Sequence, residues 1–405
     1  MRKKHSFSYL WTGQSLANLG DAFYTLALVT IIYQSTHSTF LAALLPIIRT
    51  VFTSISGLLA PLILDRFSLK HILIISQFGQ TIFLLGLVWL STYPVTLFLT
   101  WIWFFIAILA FLDGWTKPAR NSLIPRLVEK TKLVKANSFI STTDNILLLA
   151  GWSLGGMAVA AFGARQILWG TLSLFVISTL SLLFIMDPEE KEHMQKENNN
   201  HLATLKEGWS IILSHPVLSR MAIGYTIMGL SFGVWSGAIL LTFVNKALHQ
   251  NEAWWGFINS SYFAGTIMGG IVTYALSKWI EKHLVSTIIA GSIVFSVFTF
   301  VFAGISVPIL SLILVFLTGP PFEALLNASR TIIQTSTSPA QLPKVNAAYF
   351  TLDYVSFGLS TLLMGTLADL MEIRMVYVIA ALLSAMPALL LIPVRKYEYK
   401  TFDQI

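Results

Sequence analysis

Twelve apolar runs, each about as long as a lipid bilayer is thick, constrain this chain more than any other feature. The first six are Phe7 to Tyr33, Phe40 to Leu64, Ile72 to Leu90, Val95 to Trp115, Phe139 to Ala161 and Ile167 to Met186. The second six are Met221 to Val244, Trp254 to Trp279, Val285 to Ile305, Pro308 to Leu326, Ala347 to Ala368 and Met375 to Val394. A helix rises about 1.5 Å per residue, so roughly 20 apolar residues cross a hydrocarbon core of about 30 Å. Only 11% of the 405 residues are charged, against roughly 25% in a soluble domain. Mean hydropathy is +0.72. The chain therefore reads as an all-α polytopic membrane protein, which excludes a disordered regulator, a collagen-like fibre and a large soluble enzyme.

Charge placement orients the spans. Of the 26 Lys and Arg residues, 22 fall on the side that carries the N-terminus. Arg165, Lys246 and Arg374 fall on the other, and Arg49 lies inside a span. The positive-inside rule then puts both termini in the cytoplasm of a bacterial cell membrane. The net charge of +7 is thus a topology signal and not a nucleic-acid patch. The basic start Met1-Arg-Lys-Lys-His reads as the flank of the first span and not as a signal peptide. Its apolar run is too long, carries Gln14, Asn18 and Asp21, and shows no small-residue cleavage site.

The polar stretch Asp187 to Arg220 divides the chain into an N-terminal six-helix bundle over 1–186, a cytoplasmic linker over 187–220 and a C-terminal six-helix bundle over 221–405. Within the linker, His201 to His215 is expected to form an amphipathic helix on the membrane surface, the alternative being a plain flexible connection. An offset of 209 positions aligns the halves without a gap. It pairs Leu133 with Leu342, Lys135 with Lys344, Asn137 with Asn346, Thr142 with Thr351, Asp144 with Asp353 and Gly156 with Gly365. Both copies follow the fourth span of their half, so the repeat is parallel and implies a pseudo-twofold axis along the membrane normal.

Several motifs invite chemistry the setting does not support. Gly151-Trp152-Ser153-Leu154-Gly155 matches a hydrolase nucleophile elbow, but that elbow needs a strand and a strained turn, and this stretch lies within a span. Glycines four apart instead let helices approach closely, so Gly151, Gly155 and Gly156 read as a helix-packing motif. The eight histidines show no metal-binding spacing, no phosphate-binding loop is present, and cysteine is absent. No metal, no cofactor and no enzymatic activity are expected. The Asn-x-Ser sites at Asn259 and Asn327 fall within spans and are set aside.

The loop Asp65-Arg66-Phe67-Ser68-Leu69-Lys70-His71 after the second span, the two parallel halves and the glycine-rich fifth span together resemble the major facilitator superfamily. The loop departs from the family signature at Pro61 and Ser68, where glycines are expected. The run from Pro118 to Asn137 is similar to the macrolide-efflux and siderophore-exporter branch. Gly151 to Gly156 resembles the antiporter motif, with Trp152 in place of its proline. The resemblance implies two pseudo-twofold-related bundles and a secondary transporter working by alternating access. Proton-coupled export of amphipathic drugs or metabolites is the expectation. An importer or facilitator on the same fold is the alternative, and a non-transporting receptor a remote one. The implied partners are a small-molecule substrate, protons and membrane lipid; a monomer is expected and nucleic acid is not.

The resemblance also implies a cytoplasmic gate built from Asp65, Arg66 and Lys70, in which the aspartate caps the eleventh helix and the basic residues pair with an acid of the fourth. Asp113, with Lys117 and Arg120, is the candidate here, and Glu323 with Arg330 is its counterpart in the second half. The repeated Asp144 and Asp353 are assigned to the same gate. For a largely apolar, optionally cationic substrate bound near mid-membrane between the halves, Tyr24, Trp235 and Phe322 are candidate cavity aromatics, because aromatic faces offer apolar area and attract cations. Gln14, Asn18, Asp21 and Thr25, spaced four, three and four, form one polar face on the first span. Asp21 and Arg49 lie at depths that differ by roughly 5 Å. An ionisable pair at membrane depth marks a proton-coupling or substrate pathway; the alternative is a static pair holding two helices together.

Overall fold

A computed structural model describes residues 5–36, 39–64, 67–188, 201–235 and 237–399. Asp65 and Arg66 lie outside them. The helices are α1 Ser6–Thr36, α2 Thr39–Leu64, α3 Leu69–Leu90, α4 Val95–Asp113, α5 Thr116–Leu127, α6 Leu133–Phe162, α7 Ala164–Leu183 and α8 His201–Ser214. They continue as α9 Pro216–Gly229, α10 Gly237–Lys246, α11 Glu252–Ala275, α12 Ser277–Lys282, α13 Leu284–Gly304, α14 Pro308–Ser336, α15 Leu342–Leu370, α16 Ile373–Ser384 and α17 Met386–Leu391.

Every apolar run of the sequence lies on this framework, but several boundaries differ. The fourth span ends at Asp113, and a separate helix, α5, follows where a loop was expected. Its Pro118 sits in the first turn, where a missing N–H costs nothing, and Ala119, Leu123 and Ile124 are buried. The fifth, tenth and eleventh spans extend into flanking polar sequence, because a helix continues by local hydrogen bonding whether or not its side chains are apolar. The seventh span is broken. After Gly229 the chain turns through Phe232–Trp235 before α10 resumes at Gly237. Ser360 bridges the break: its hydroxyl donates to the Leu230 carbonyl at 2.5 Å and accepts from the Gly233 N–H at 2.6 Å. Tyr377 donates to the Val234 carbonyl at 2.6 Å. An unwound segment is tolerated at membrane depth where neighbours satisfy its freed backbone groups.

Two compact units form. The first comprises 1–128, 146–208 and 339–347. Its core gathers Leu28, Ile32, Leu45, Leu84, Phe98, Ile102 and Phe175, with α1 packed along α7 and α2 along α4. Gly151 and Gly155 of α6 face α1: a methyl group there would come within 2.5 Å of the Ala22 Cβ and the Leu26 Cδ1. Gly156 has nothing within 4 Å, so it is not part of that packing motif. The second unit comprises 129–145, 209–338 and 348–405. Leu240, Phe243, Ile258, Phe302, Val315 and Tyr377 form its core. Helices α11 and α14 cross at Gly265 and Gly319, where a Cβ on Gly319 would lie 2.0 Å from the Gly265 carbonyl carbon. Leucine, phenylalanine and tryptophan side chains such as Trp89, Phe162, Leu362 and Leu370 stay exposed, the pattern of a lipid-facing surface.

Candidate functional site

In the first unit, Arg49 of α2 meets the polar face of α1. Its guanidinium lies 3.7 Å from the Asp21 carboxylate and donates a short hydrogen bond to the Thr25 hydroxyl, which itself donates to the Asp21 carbonyl at 2.6 Å. Arg49 also covers the Tyr24 ring at 5.0 Å, a cation–π geometry. Asp113 and Lys117 act electrostatically on Asp21 together with Arg49. Residues assigned to a gate by resemblance thus share one field with the membrane-depth pair. Gln14 is buried, and its Nε2 has no partner among the described residues; Asn18 is half-buried. Tyr24 does not line a cavity. It is fully buried and packs edge-on against Phe175, 6.3 Å between centroids.

The other gate residues are placed as follows. Lys70 is half-buried in the first turn of α3, after a cap in which Ser68 accepts from the His71 N–H. Lys117 is exposed and Arg120 buried on α5. Asp144 is half-buried on α6 and Asp353 exposed on α15. Glu323 does not pair with Arg330; among the described residues Arg330 forms no ion pair. The Glu323 carboxylate instead accepts amide bonds from Asn145 at 2.8 Å and Asn327 at 3.1 Å.

Those bonds begin a buried polar ladder in the second unit that sequence inspection missed. Asn327 donates to Ser141 at 3.2 Å, and Asn137 donates to Thr331 at 3.2 Å and to Gln334 at 2.8 Å. Positions 137, 141 and 145 of α6 thus face 323, 327, 331 and 334 of α14. The recurrence of Asn and Ser every fourth residue in α6 is the signal that could have revealed it. In the first unit, Asn346 donates to Ser122 at 2.9 Å. The repeat offset carries Asn137 to Asn346 and Ser122 to Thr331, so one hydrogen bond occurs twice, once in each unit.

A cavity of about 290 Å³ opens in the second unit beside the helix break. Trp235 and Phe322 line it, with Phe232, Tyr262, Phe295 and Phe357. Phe232 packs edge-on against Phe322 at 5.4 Å.

The family described as Major Facilitator Superfamily matches residues 10–352. The MFS-type transporter YfmI of Bacillus subtilis is 32% identical over 389 residues, covering 95% of each chain. The multidrug efflux pump Tap of Mycolicibacterium fortuitum is 22% identical over 264 residues, covering 64% of this chain and 63% of Tap. Among solved structures, a bacterial homologue of the iron transporter ferroportin in an outward-facing state superposes with a TM-score of 0.77 at 14% identity, over 96% of this chain and 98% of that one.

Proposed function

We propose a specific task for this chain, which belongs to the major facilitator superfamily: proton-coupled export of amphipathic drugs or metabolites by alternating access. As a member of that family it is a multi-pass membrane protein with the twelve-helix fold, and it transports a small-molecule substrate. The observation that carries the finer reading is the Asp21–Arg49 pair. An ionisable pair at membrane depth costs several kcal/mol unless it is paired or hydrated, and such residues mark ion and proton pathways. Asp113 and Lys117 extend its field. A change in water access to this cluster alters the balance between desolvation and the arginine's attraction, and so moves a proton. Export as the direction is supported by the likeness to Tap, itself a multidrug efflux pump.

In this reading the protein works as a monomer in the cytoplasmic membrane, with both termini and the 187–220 linker inside. The halves 1–186 and 221–405 rock about the pseudo-twofold axis. The paired Asn137–Thr331 and Asn346–Ser122 bonds support it, because each ties the fifth helix of one half to the fourth helix region of the other. Lys70, Arg120, Asp144 and Asp353, with Asp65 and Arg66 of the signature loop, serve the gate on that side.

Everted vesicles test the proposal. An acid-inside gradient should drive accumulation of substrate, and Asp21→Asn should abolish gradient-driven accumulation while insertion and substrate binding persist. Normal gradient-driven transport by Asp21→Asn refutes the coupling role. A poorly inserted Asp21→Asn protein assigns the pair to helix packing, and accumulation only in right-side-out vesicles assigns the opposite direction.

A further inference from the structure

We infer that one edge of the second unit docks the headgroup of an anionic phospholipid, through Lys130, Lys135, Lys278 and Lys282 gathered around the exposed ring of Trp279. The inference rests on the exporter reading only for the leaflet, because that reading puts this edge in the cytoplasm.

Two segments far apart in sequence meet at this edge. The turn Lys130–Lys132 packs against the short helix α12, which joins α11 to α13. Three contacts fix the meeting. The Glu281 carboxylate accepts the Val134 N–H at the start of α6, the Lys135 ammonium lies 4.7 Å from the centre of the Tyr274 ring, and that ring tilts against Phe139 at 6.4 Å. Lys130, Lys132, Lys135, Lys278 and Lys282 are thereby brought to one edge, all exposed. Lys132 is held by Glu129 at 2.7 Å. Among the described residues the other four form no ion pair, and Glu281, the second acid of these two segments, is engaged by the Val134 N–H. The apolar part of the edge is open as well. Trp279 is 55% exposed and Leu276 51%, and the His283 ring stacks on Trp279 at 4.6 Å. Tryptophan settles at the headgroup level of a bilayer, and clustered lysines beside a span attract the anionic lipids of the cytoplasmic leaflet. A phosphodiester headgroup satisfies both features, since its negative charge meets the ammonium groups while its glycerol and acyl carbons lie along Trp279 and Leu276. Orientation of the chain does not ask for this cluster. At the repeat offset of 209, Lys130 falls on Pro339, Lys278 on Leu69 and Lys282 on Leu73. The image of Lys135 is Lys344, which is already bound to Glu207 at 2.6 Å. The patch therefore belongs to the second half alone.

The absence of cysteine permits a single bimane probe on Leu276→Cys in the full chain, reconstituted in nanodiscs. Brominated phosphatidylglycerol and brominated phosphatidylcholine are compared as quenchers at equal mole fraction. The anionic lipid should be enriched at the probe at least about fivefold over the zwitterionic one, the worth of one well-placed lysine. Raising salt to about 1 M should reduce that enrichment, because exposed charges are screened. Combining Lys130→Gln, Lys278→Gln and Lys282→Gln should abolish it, and arginine at the same three positions should keep it. Equal quenching by the two lipids, an enrichment that survives the three glutamines, or its removal by soluble glycerol 3-phosphate overturns the proposal, the last by assigning the edge to a free phosphate. The comparison of the two lipids needs no lysine variant, so a poorly folded triple variant still leaves the proposal refutable. Nanodiscs expose both leaflets and no gradient enters the measurement. A missing enrichment therefore removes the lipid site and leaves the exporter reading standing, and a failed export assay does the reverse.

Discussion

Replacing Asn137 with alanine removes the 2.8 Å bond to Gln334 and the 3.2 Å bond to Thr331 from a setting where all three side chains are buried. A buried hydrogen bond contributes about 0.5–1.5 kcal/mol net, and its loss up to about 3 kcal/mol, so the deletion should cost about 1–3 kcal/mol. Asn346→Ala removes one bond, to Ser122, whose hydroxyl keeps its donation to the Pro118 carbonyl at 2.8 Å; about 0.5–1.5 kcal/mol follows. If the proposed cycle breaks both bonds in the alternate state, each loss weighs against the state described here and not against that alternate. At roughly 1.4 kcal/mol per tenfold, Asn137→Ala should shift the equilibrium by roughly five- to a hundredfold and Asn346→Ala by about two- to tenfold. The two share no partner, so the double variant should approach the product. The absence of cysteine makes the assay direct: single cysteines at the buried Ala136 and Ala347 are labelled with a water-soluble maleimide. Labelling should accelerate in both variants, more in Asn137→Ala. Unchanged or slower labelling in folded protein would refute the assignment of these bonds to a moving closure.

Three further outcomes follow from the packing and the charges. Gly319→Val should destabilise the second unit by about 3 kcal/mol or more, since the added Cβ meets backbone and not a flexible side chain; Gly156→Ala, into open space, should be neutral or slightly stabilising in the same thermal melts. Arg374 donates to the carbonyls of Ala303, Ile305 and Ala247 and to the Ser306 hydroxyl, a planar fork that lysine does not reproduce. Arg374→Lys should therefore cost about 2–3 kcal/mol in detergent melts, and an unchanged midpoint would show the clamp to be idle. Glu281, on the short α12, has its carboxyl pushed above the ordinary glutamate value by burial, opposed by a hydrogen bond from the Val134 N–H. The folded state then holds a proton that the unfolded chain releases. Stability of the second unit should fall as pH rises through the window just above the ordinary glutamate value, and Glu281→Gln should flatten that slope; a slope of opposite sign would overturn the assignment.

How much of this was legible follows from what each signal measures. Among the described residues nine helices, or ten counting the bent pair around His215, are long and apolar enough to cross a membrane, and hydropathy found these because crossing a bilayer demands about 20 apolar residues. It missed α5, the polar starts of α6 and α15 and the break between Gly229 and Gly237, because helix continuation and breakage are local backbone matters. The Ser360 hydroxyl that satisfies the break lies more than a hundred residues away in sequence. Of the site, the Asp21–Arg49 approach was readable because rise per residue converts position into depth. Tyr24 is buried in the core whereas Trp235 and Phe322 border a cavity, a difference the sequence does not carry: among 28 phenylalanines, 12 tyrosines and 12 tryptophans, being aromatic says little about which face of a helix a ring occupies. Glu323 was noticed for its charge and given the wrong neighbour, since Arg330 is near in sequence whereas Asn145, on another helix, is near in space.

The repeat separates what the two halves share from what only one possesses. The Asn137–Thr331 bond has its image in Asn346–Ser122, one in each unit. The remainder of the ladder has no image. At the same offset, Glu323 falls on Gly114, Asn327 on Pro118 and Asn145 on Tyr354, so neither the carboxylate nor the two amides that hold it recur. The repeated asparagine bonds and the unrepeated Glu323 are therefore separable by substitution. Asparagine substitutions should accelerate the labelling of Ala136→Cys, and Glu323→Gln, which leaves both repeated bonds in place, should not. Equal acceleration by both substitutions would show the ladder to be one structural unit and remove the distinction.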